Sequence, residues 1–350
     1  MLEMGIVVEE LQSLSGFEEA EEDWRTVLKG SAENEVFLTH EWLRAWWETY
    51  SGRNELLILQ ASEGGRPVGF APLMIVKVAR IPSWRKLQFV GTGPSDRCGL
   101  IAEGDRTDVH RRLWDHLRGR GGWDVLELRD MRAEGATAKV LPTVFSGGER
   151  SEDVAPFITL SGTMEDYLSA LSSRTRKNIS RGWRQLERDH GVEFVREADE
   201  SQAEESFRSF VELNRSRWRG KSVLDAPLMA EFLGRAVARL SKRGVVVFHK
   251  LVAAEGPIAI QLGFEYEGRY LDYLAGFDPQ FADLSPGTVL LAKTIEDCYE
   301  RGLTEVDLLR GSEPYKYRFN AVDRRQLHFR WTREGVRRSM IGAVMERGLK

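Results

Sequence analysis

LDYLAGFDPQFADLSPGTVLLAKTIEDCYERGLTEVDLLRGSEPYKYRF, residues 271–319, decides the fold. LDYLAGF (271–277) has the aromatic and apolar content of a strand. Residues 278–287 form a loop ending in Ser285-Pro286-Gly287-Thr288, from which a helix runs to about Arg301. EVDLL (305–309) is a second strand, and RGSEPYKYRF (310–319) follows it. A helix that starts at the end of a strand offers backbone N–H groups to a phosphate. Carboxylate, phenolic and basic side chains in the same unit can supply chemistry.

Working outward, the chain states this order of elements twice. In the second half, VEFVRE (192–197) precedes helices over about 203–219 and 228–242 and strands over 245–253, 257–266 and 269–277. In the first half, IVVEE (6–10) precedes helices near 18–28 and over 40–50, then strands over 55–61, 67–77 and 86–93. A helix near 108–117 and the strand DVLELRD (124–130) complete it. Glu63-Gly64-Gly65-Arg66-Pro67 and Ala254-Glu255-Gly256-Pro257 sit at matching places and predict hairpins. Residues 133–191 form a structured crossover, with strand character in PFITL (156–160) and helical character over 163–189. The expectation is an α/β (mixed α+β) chain of two tandem units, residues 1–132 and 192–350, joined by residues 133–191.

The 350 residues carry 50 Lys+Arg against 54 Asp+Glu, a net charge of −4, so any polyanion-binding charge is local. No apolar run reaches the roughly 18 residues of a membrane span. MLEMGIVVEE lacks the order of a signal peptide, and Cys98 and Cys298 fit no metal or redox spacing. The expectations are a cytoplasmic protein, no metal and no membrane span.

Local charge is concentrated in SSRTRKNISRGWRQLERDH (172–190). Arg174, Lys177, Arg181, Arg184 and Arg188 step by three and four residues and share a helix face. Ile179, Trp183 and Leu186 supply the opposite, docking face. The strip reads either as an anion-binding surface, with Arg174, Lys177 and Arg181 on substrate or coenzyme phosphates, or as a solvated face. Few aromatics interleave, which argues against single-stranded nucleic acid.

EVFLTHEWLRAWWETY (35–50), SSRTRKNISR (172–181), LDYLAGFDPQFADLSPGTVLL (271–291) and GSEPYKYRF (311–319) together resemble the GNAT-type acetyltransferases. The subgroup is the one associated with bacterial cellulose and exopolysaccharide biosynthesis, related to the Fem-type peptidyltransferases. The resemblance implies two GNAT-like units, each a mixed, mostly antiparallel sheet flanked by helices, with acetyl-CoA or another acyl-CoA bound in the second. It places Ala275, Gly276, Ser285, Gly287, Thr288 and Val289 against the coenzyme, although one glycine stands where the superfamily loop has two. The backbone amides of Gly287, Thr288 and Val289 are the expected donors to a pyrophosphate; an ordinary helix start capped by Ser285 is the alternative. The matching loop of the first half, residues 92–104, holds Asp96 and Glu103, so that unit is expected to be non-catalytic.

Acyl transfer from a thioester needs an oriented coenzyme, a polarised carbonyl and a base. Asp272, in an apolar strand with Tyr270 and Leu274 on its face, is the candidate base; the alternative is a structural carboxylate paired with Arg310 or Arg318. Tyr315 is the candidate acid towards the thiolate, and Lys316 and Arg318 candidate partners of a phosphate or an acidic substrate group. Asp307 contacts substrate or anchors Lys316 or Arg310. Gln261 and Glu265 share a strand face that lines a substrate cleft or meets water. Trp218 and Arg219 stack on a sugar ring or coenzyme, or Trp218 is a buried anchor. Trp42, Trp46, Trp47 and Tyr50 have helical spacing and read as core.

The resemblance implies acetyl transfer to an amino or hydroxyl group of a sugar precursor or polysaccharide-linked metabolite, and with no Ser/Cys–His nucleophile arrangement in the sequence the acceptor is expected to attack directly. The alternatives are Fem-like transfer of an aminoacyl group from tRNA, with nucleic acid a partner only in that case, and an inactive GNAT pair in a polysaccharide-biosynthesis complex.

Overall fold

The computed structural model describes residues 5–78, 84–218 and 220–333. Two compact units emerge: residues 1–43, 51–153 and 325–350 form the first, and residues 44–50 and 154–324 the second. The division at 132 and 191 follows the order of elements along the chain, whereas the first unit takes a strand from beyond the second and the second takes helical residues 44–50 from within the first.

The first unit contains β1 (Val7–Leu11), α1 (Leu14–Glu19), α2 (Glu21–Lys29), the start of α3 (His40–Tyr50), β2 (Glu55–Glu63), β3 (Arg66–Val78) and β4 (Trp84–Phe89). The short β5 (Ile101–Ala102), α4 (Thr107–Gly119), β6 (Val125–Arg132) and α5 (Ala136–Val144) follow. The second unit runs through β7 (Glu149–Thr159), α6 (Met164–Ala170), α7 (Ser173–His190), β8 (Glu193–Glu197), α8 (Ala203–Trp218) and α9 (Met229–Ser241). It continues with β9 (Val246–Ala253), β10 (Gly256–Tyr266), β11 (Arg269–Phe277), α10 (Pro286–Glu300), β12 (Glu305–Asp307) and α11 (Pro314–Arg318). β13 (Val322–Thr332) then returns to the first unit.

Strand pairing makes the internal repeat explicit. In the first unit the order is β1-β2-β3-β4-β6-β13, antiparallel except for the parallel β4–β6 pair. In the second it is β8-β9-β10-β11-β12-β7, antiparallel except for β11–β12. Both expected hairpins form. Gly64 and Gly65 turn the first at φ 61° and 79°, the conformation that suits a two-residue turn. The expected helix over 163–189 is two helices. Thr163 and Asp166 close a capping box on α6, Ser172 caps α7 through the Thr175 amide, and Gly191 ends α7 at φ 60°. The expected strand 305–309 stops at Asp307, because Leu309 turns to φ 58°.

Each unit has its own core. Leu59, Leu73, Phe89, Trp114 and Trp123 are buried in the first, and Val247, Leu291, Ile295 and Val306 in the second. Trp42, Trp46 and Trp47 are buried, as their spacing predicts. Among the described residues, no helix is long and apolar enough to cross a membrane.

Candidate active site

β11 and β12 run side by side only where Arg269–Leu271 face Glu305–Asp307. β11 continues to Phe277 against β10, so the two parallel strands part at Asp272. The same place carries a bulge: Gly263 pairs with Asp272 and Leu262 with Leu274, which leaves Tyr273 as the extra residue. Cross-strand partners share a face, so Asp272, Ala275 and Gln261 point to one side with Gly263, and Leu274 to the other. The expected pairing of Leu274 with the Asp272 face is corrected by that extra residue.

On this side of the sheet lies α10. Thr294 donates its hydroxyl to Gln261 Oε1 at 2.9 Å, and both residues are buried. The Gln261 amide in turn hydrogen-bonds the Asp272 carboxylate. Burial pushes the Asp272 pKa up from 3.8 to about 6, against the lowering effects of Gln261, Lys316 and Arg217. Asp272 is partly open to solvent by area while its carboxyl group is enclosed by protein. Tyr315 lies close enough that the Asp272 charge, after burial itself, raises its phenol well above the ordinary value. Its residue is 38% exposed, so the enclosed end is the hydroxyl that titrates. Asp272 and Tyr315 are therefore brought together, and Gln261 joins them as the residue that orients the carboxylate.

Lys316 has a different position from the one expected. It is buried, and its ammonium group donates to the carbonyls of Leu309, Arg310 and Gly311 at 3.0, 2.8 and 2.9 Å and pairs with Glu313 at 2.9 Å. Its three protons are occupied by the loop after β12, so it shapes the site without reaching a phosphate or a reacting atom. Asp307 is buried too. It accepts from the Leu309 amide at 2.9 Å and pairs with Arg324 at 3.0 Å, while the Lys316 ammonium is held by the loop carbonyls and Glu313. Glu265 pairs with Arg196 and Arg301 at 2.8 and 2.7 Å and is a structural anion. Arg318 is exposed on α11.

The start of α10 also departs from expectation. Ser285 is the N-cap residue at φ 53° and makes no side-chain cap. Its carbonyl accepts from the amides of both Thr288 and Val289, at 2.9 and 3.1 Å, so of the three expected donors only the Gly287 N–H is left to a ligand. Val289 is buried in the core. The Ala275 carbonyl accepts from Asn214 and Arg217, and a side chain at Gly276 would collide with the Asn214 backbone. Gly276 is thus the seat of α8.

α7 packs on α10 and on the turn before it. A Cβ at Gly182 would stand 2.7 Å from the Leu284 carbonyl oxygen and 2.8 Å from Val289, so only glycine permits this approach. Trp183 receives the Lys293 ammonium over its ring at 4.6 Å. Arg184 bonds back to Ser180, and Arg188 pairs with Asp189. Arg174, Lys177 and Arg181 are exposed and have no ion-pair or hydrogen-bond partner among the described residues.

Three residues of the site escaped the sequence reading: Thr294, Glu313 and Arg217. Arg217, beside Asp272 and Tyr315, has its guanidinium 4.7 Å from the Trp218 ring and 4.8 Å from that of Phe277. Trp218 is 46% exposed and is not a buried anchor. Arg219 lies outside the described residues. NRSRWRG did point to this helix end, but one-residue helical phase separates an inward Arg217 from its neighbours. Among the described residues, no three His, Cys, Asp or Glu side chains gather as a metal site.

Residues 173–317, all within the second unit, match the model of the acetyltransferase (GNAT) domain. The structure is similar to that of FemX, with a TM-score of 0.62 at 10% identity over 93% of this chain and 97% of the other. It is also similar to L-PGS from Bacillus licheniformis, with a TM-score of 0.59 at 12% identity over 91% and 94%. The C-terminal domain of a putative lysylphosphatidylglycerol synthetase from Agrobacterium fabrum gives 0.56 at 11% identity over 94% and 96%. At such identities the likeness concerns the fold. No curated protein sequence matches the chain.

Proposed function

We propose that the second unit transfers an acyl group, acetyl in the simplest case, from acyl-CoA to an amino or hydroxyl group of a sugar precursor or polysaccharide-linked metabolite in the cytoplasm. The observation that carries this reading is Asp272, a carboxyl with a pKa of about 6 held by Gln261 where β11 and β12 part. Such a group is ionised at neutral pH yet basic enough to take a proton. The acyl-CoA supplies the acyl group as an activated thioester. The exposed cations Arg174, Lys177 and Arg181 and the Gly287 N–H fit its phosphates, since Gly182 seats α7 on the start of α10.

Asp272 accepts the proton that the acceptor's amine or hydroxyl loses as it attacks. Gln261, fixed by Thr294, holds the carboxylate in place. Tyr315, kept protonated by burial and by the charges of Asp272 and Glu313, gives its proton to the departing sulfur. The first unit serves as a non-catalytic partner. Its loop is tied into the protein, with buried Arg97 paired to Glu35 at 3.3 Å and Glu103 paired to Arg66.

Calorimetry with acetyl-CoA, followed by thiol release with a panel of amino sugars, tests the proposal. Micromolar to sub-millimolar binding and acceptor-dependent release are expected; no binding at millimolar coenzyme removes it and leaves the inactive assembly partner. A second reading, aminoacyl transfer from tRNA, is supported by the unpartnered cations of α7 together with the FemX-like fold. It predicts tRNA binding that weakens steeply with salt and is lost in the Arg174, Lys177 and Arg181 triple alanine variant.

A further inference from the structure

Three half-buried arginines of the second unit meet acids. Arg196 pairs with Glu265 and Asp297, Arg239 with Glu48, and Arg324 with Glu305 and Asp307. Arg217 does not follow this pattern. Its Nη1 donates to the Ala275 carbonyl at 3.3 Å, and no carboxylate stands within ion-pair distance of it among the described residues. The Trp218 and Phe277 rings pack against its guanidinium, which leaves the donors other than the Nη1–H on Ala275 at the edge of the plane. A flat cation held this way matches the oxygens of a carboxylate or phosphate in a two-pronged contact. Burial costs the charge solvation that only an anion restores in full. The exposed face of Trp218 extends the same surface as a platform for a sugar or base ring.

We propose that Arg217, packed against the rings of Trp218 and Phe277, is an anion subsite for the acceptor, which therefore carries a carboxylate or phosphate near the group that is acylated. The proposal rests on the placement of acyl transfer at Asp272, since Arg217 lies beside that carboxylate and beside Tyr315. The same oxyanion chemistry is present in the phosphates of the coenzyme, and the test separates the two sources.

The full chain is titrated with inorganic pyrophosphate by calorimetry, in the presence of saturating CoA so that the coenzyme's own phosphate contacts are filled. CoA is titrated separately. Arg217→Ala and Arg217→Lys are compared with the parent, because lysine keeps the charge and loses the planar fork. Both variants are expected to weaken pyrophosphate binding by roughly tenfold or more, the loss of one or two charge-assisted bonds, with CoA affinity unchanged. With glucosamine and glucosamine 6-phosphate as acceptors, KM for the phosphate ester should rise in the variants by a larger factor than KM for glucosamine. Pyrophosphate binding equal to the parent in both variants overturns the subsite, and an equal loss of CoA affinity assigns it to the coenzyme and overturns the acceptor role. Failure of CoA to bind the parent protein would strike the acyltransferase reading, while the pyrophosphate titration still decides whether Arg217 holds an anion.

Discussion

Thr294 donates to Gln261 Oε1 at 2.9 Å inside the second unit, and that bond determines which end of the Gln261 amide faces Asp272. With the oxygen engaged by the hydroxyl, the nitrogen is turned to the carboxylate as a donor. The bond thus sets the ionisation of the proposed base from one residue away.

Thr294→Val keeps the side-chain shape and removes the donor. Without it the Gln261 amide loses its fixed orientation and its lowering effect on Asp272. The acid limb of the rate profile should move up by roughly 0.5–1 pH unit. A pH profile of kcat/KM checks this, and an unmoved limb would disconnect Thr294 from Asp272.

The raised pKa of Asp272 also enters stability. A carboxyl raised from 3.8 to about 6 favours the folded state while protonated. Its contribution is complete below about pH 4 and is lost as pH rises through 6. Asp272→Asn, which stays neutral, should gain on the parent between pH 4 and pH 7 by up to about 3 kcal/mol. Urea unfolding at the two pH values measures the difference, and a constant offset would contradict the assignment.

Lys316 and Arg318 are two residues apart on α11 and should behave oppositely. Lys316→Met leaves the carbonyls of Leu309, Arg310 and Gly311 without their donor and should cost about 3 kcal/mol or more. Arg318→Ala, on an exposed side chain, should stay within about 0.5 kcal/mol. Thermal unfolding of the pair is the check; activity lost in Lys316→Met without loss of stability would return Lys316 to the chemistry.

Gly182→Ala tests the seating of α7. Alanine in an open helix interior would gain roughly 1 kcal/mol over glycine. Here the methyl group meets a backbone oxygen and a core valine at 2.7 and 2.8 Å, so overpacking by about 1–3 kcal/mol reverses the sign. The variant should melt lower and bind CoA more weakly; a higher melting point would show that α7 is free to shift.

Much of the second unit was legible from residue patterns, because its strands are apolar runs and its turns are marked by glycine. β11, α10 and the apolar docking of α7 follow from period and caps alone. The return of β13 to the first unit was not legible, since its partner β6 lies almost two hundred residues away. The bulge at Tyr273 was hidden for a related reason: it appears only in the register with β10 and has no signature within β11. Asp272, Tyr315 and Gln261 were found as polar residues in or after apolar strands. Lys316 and Asp307 look the same in sequence, and only their partners reveal them as supports.

The most direct test of the central claim is the pH dependence of acyl transfer from acetyl-CoA to an amino sugar, compared between the parent protein and Asp272→Asn. The parent should show an acid limb near pH 6, and the variant should lose roughly 10²- to 10⁴-fold in kcat together with that limb. Equal rates and the same limb in both proteins would contradict Asp272 as the base.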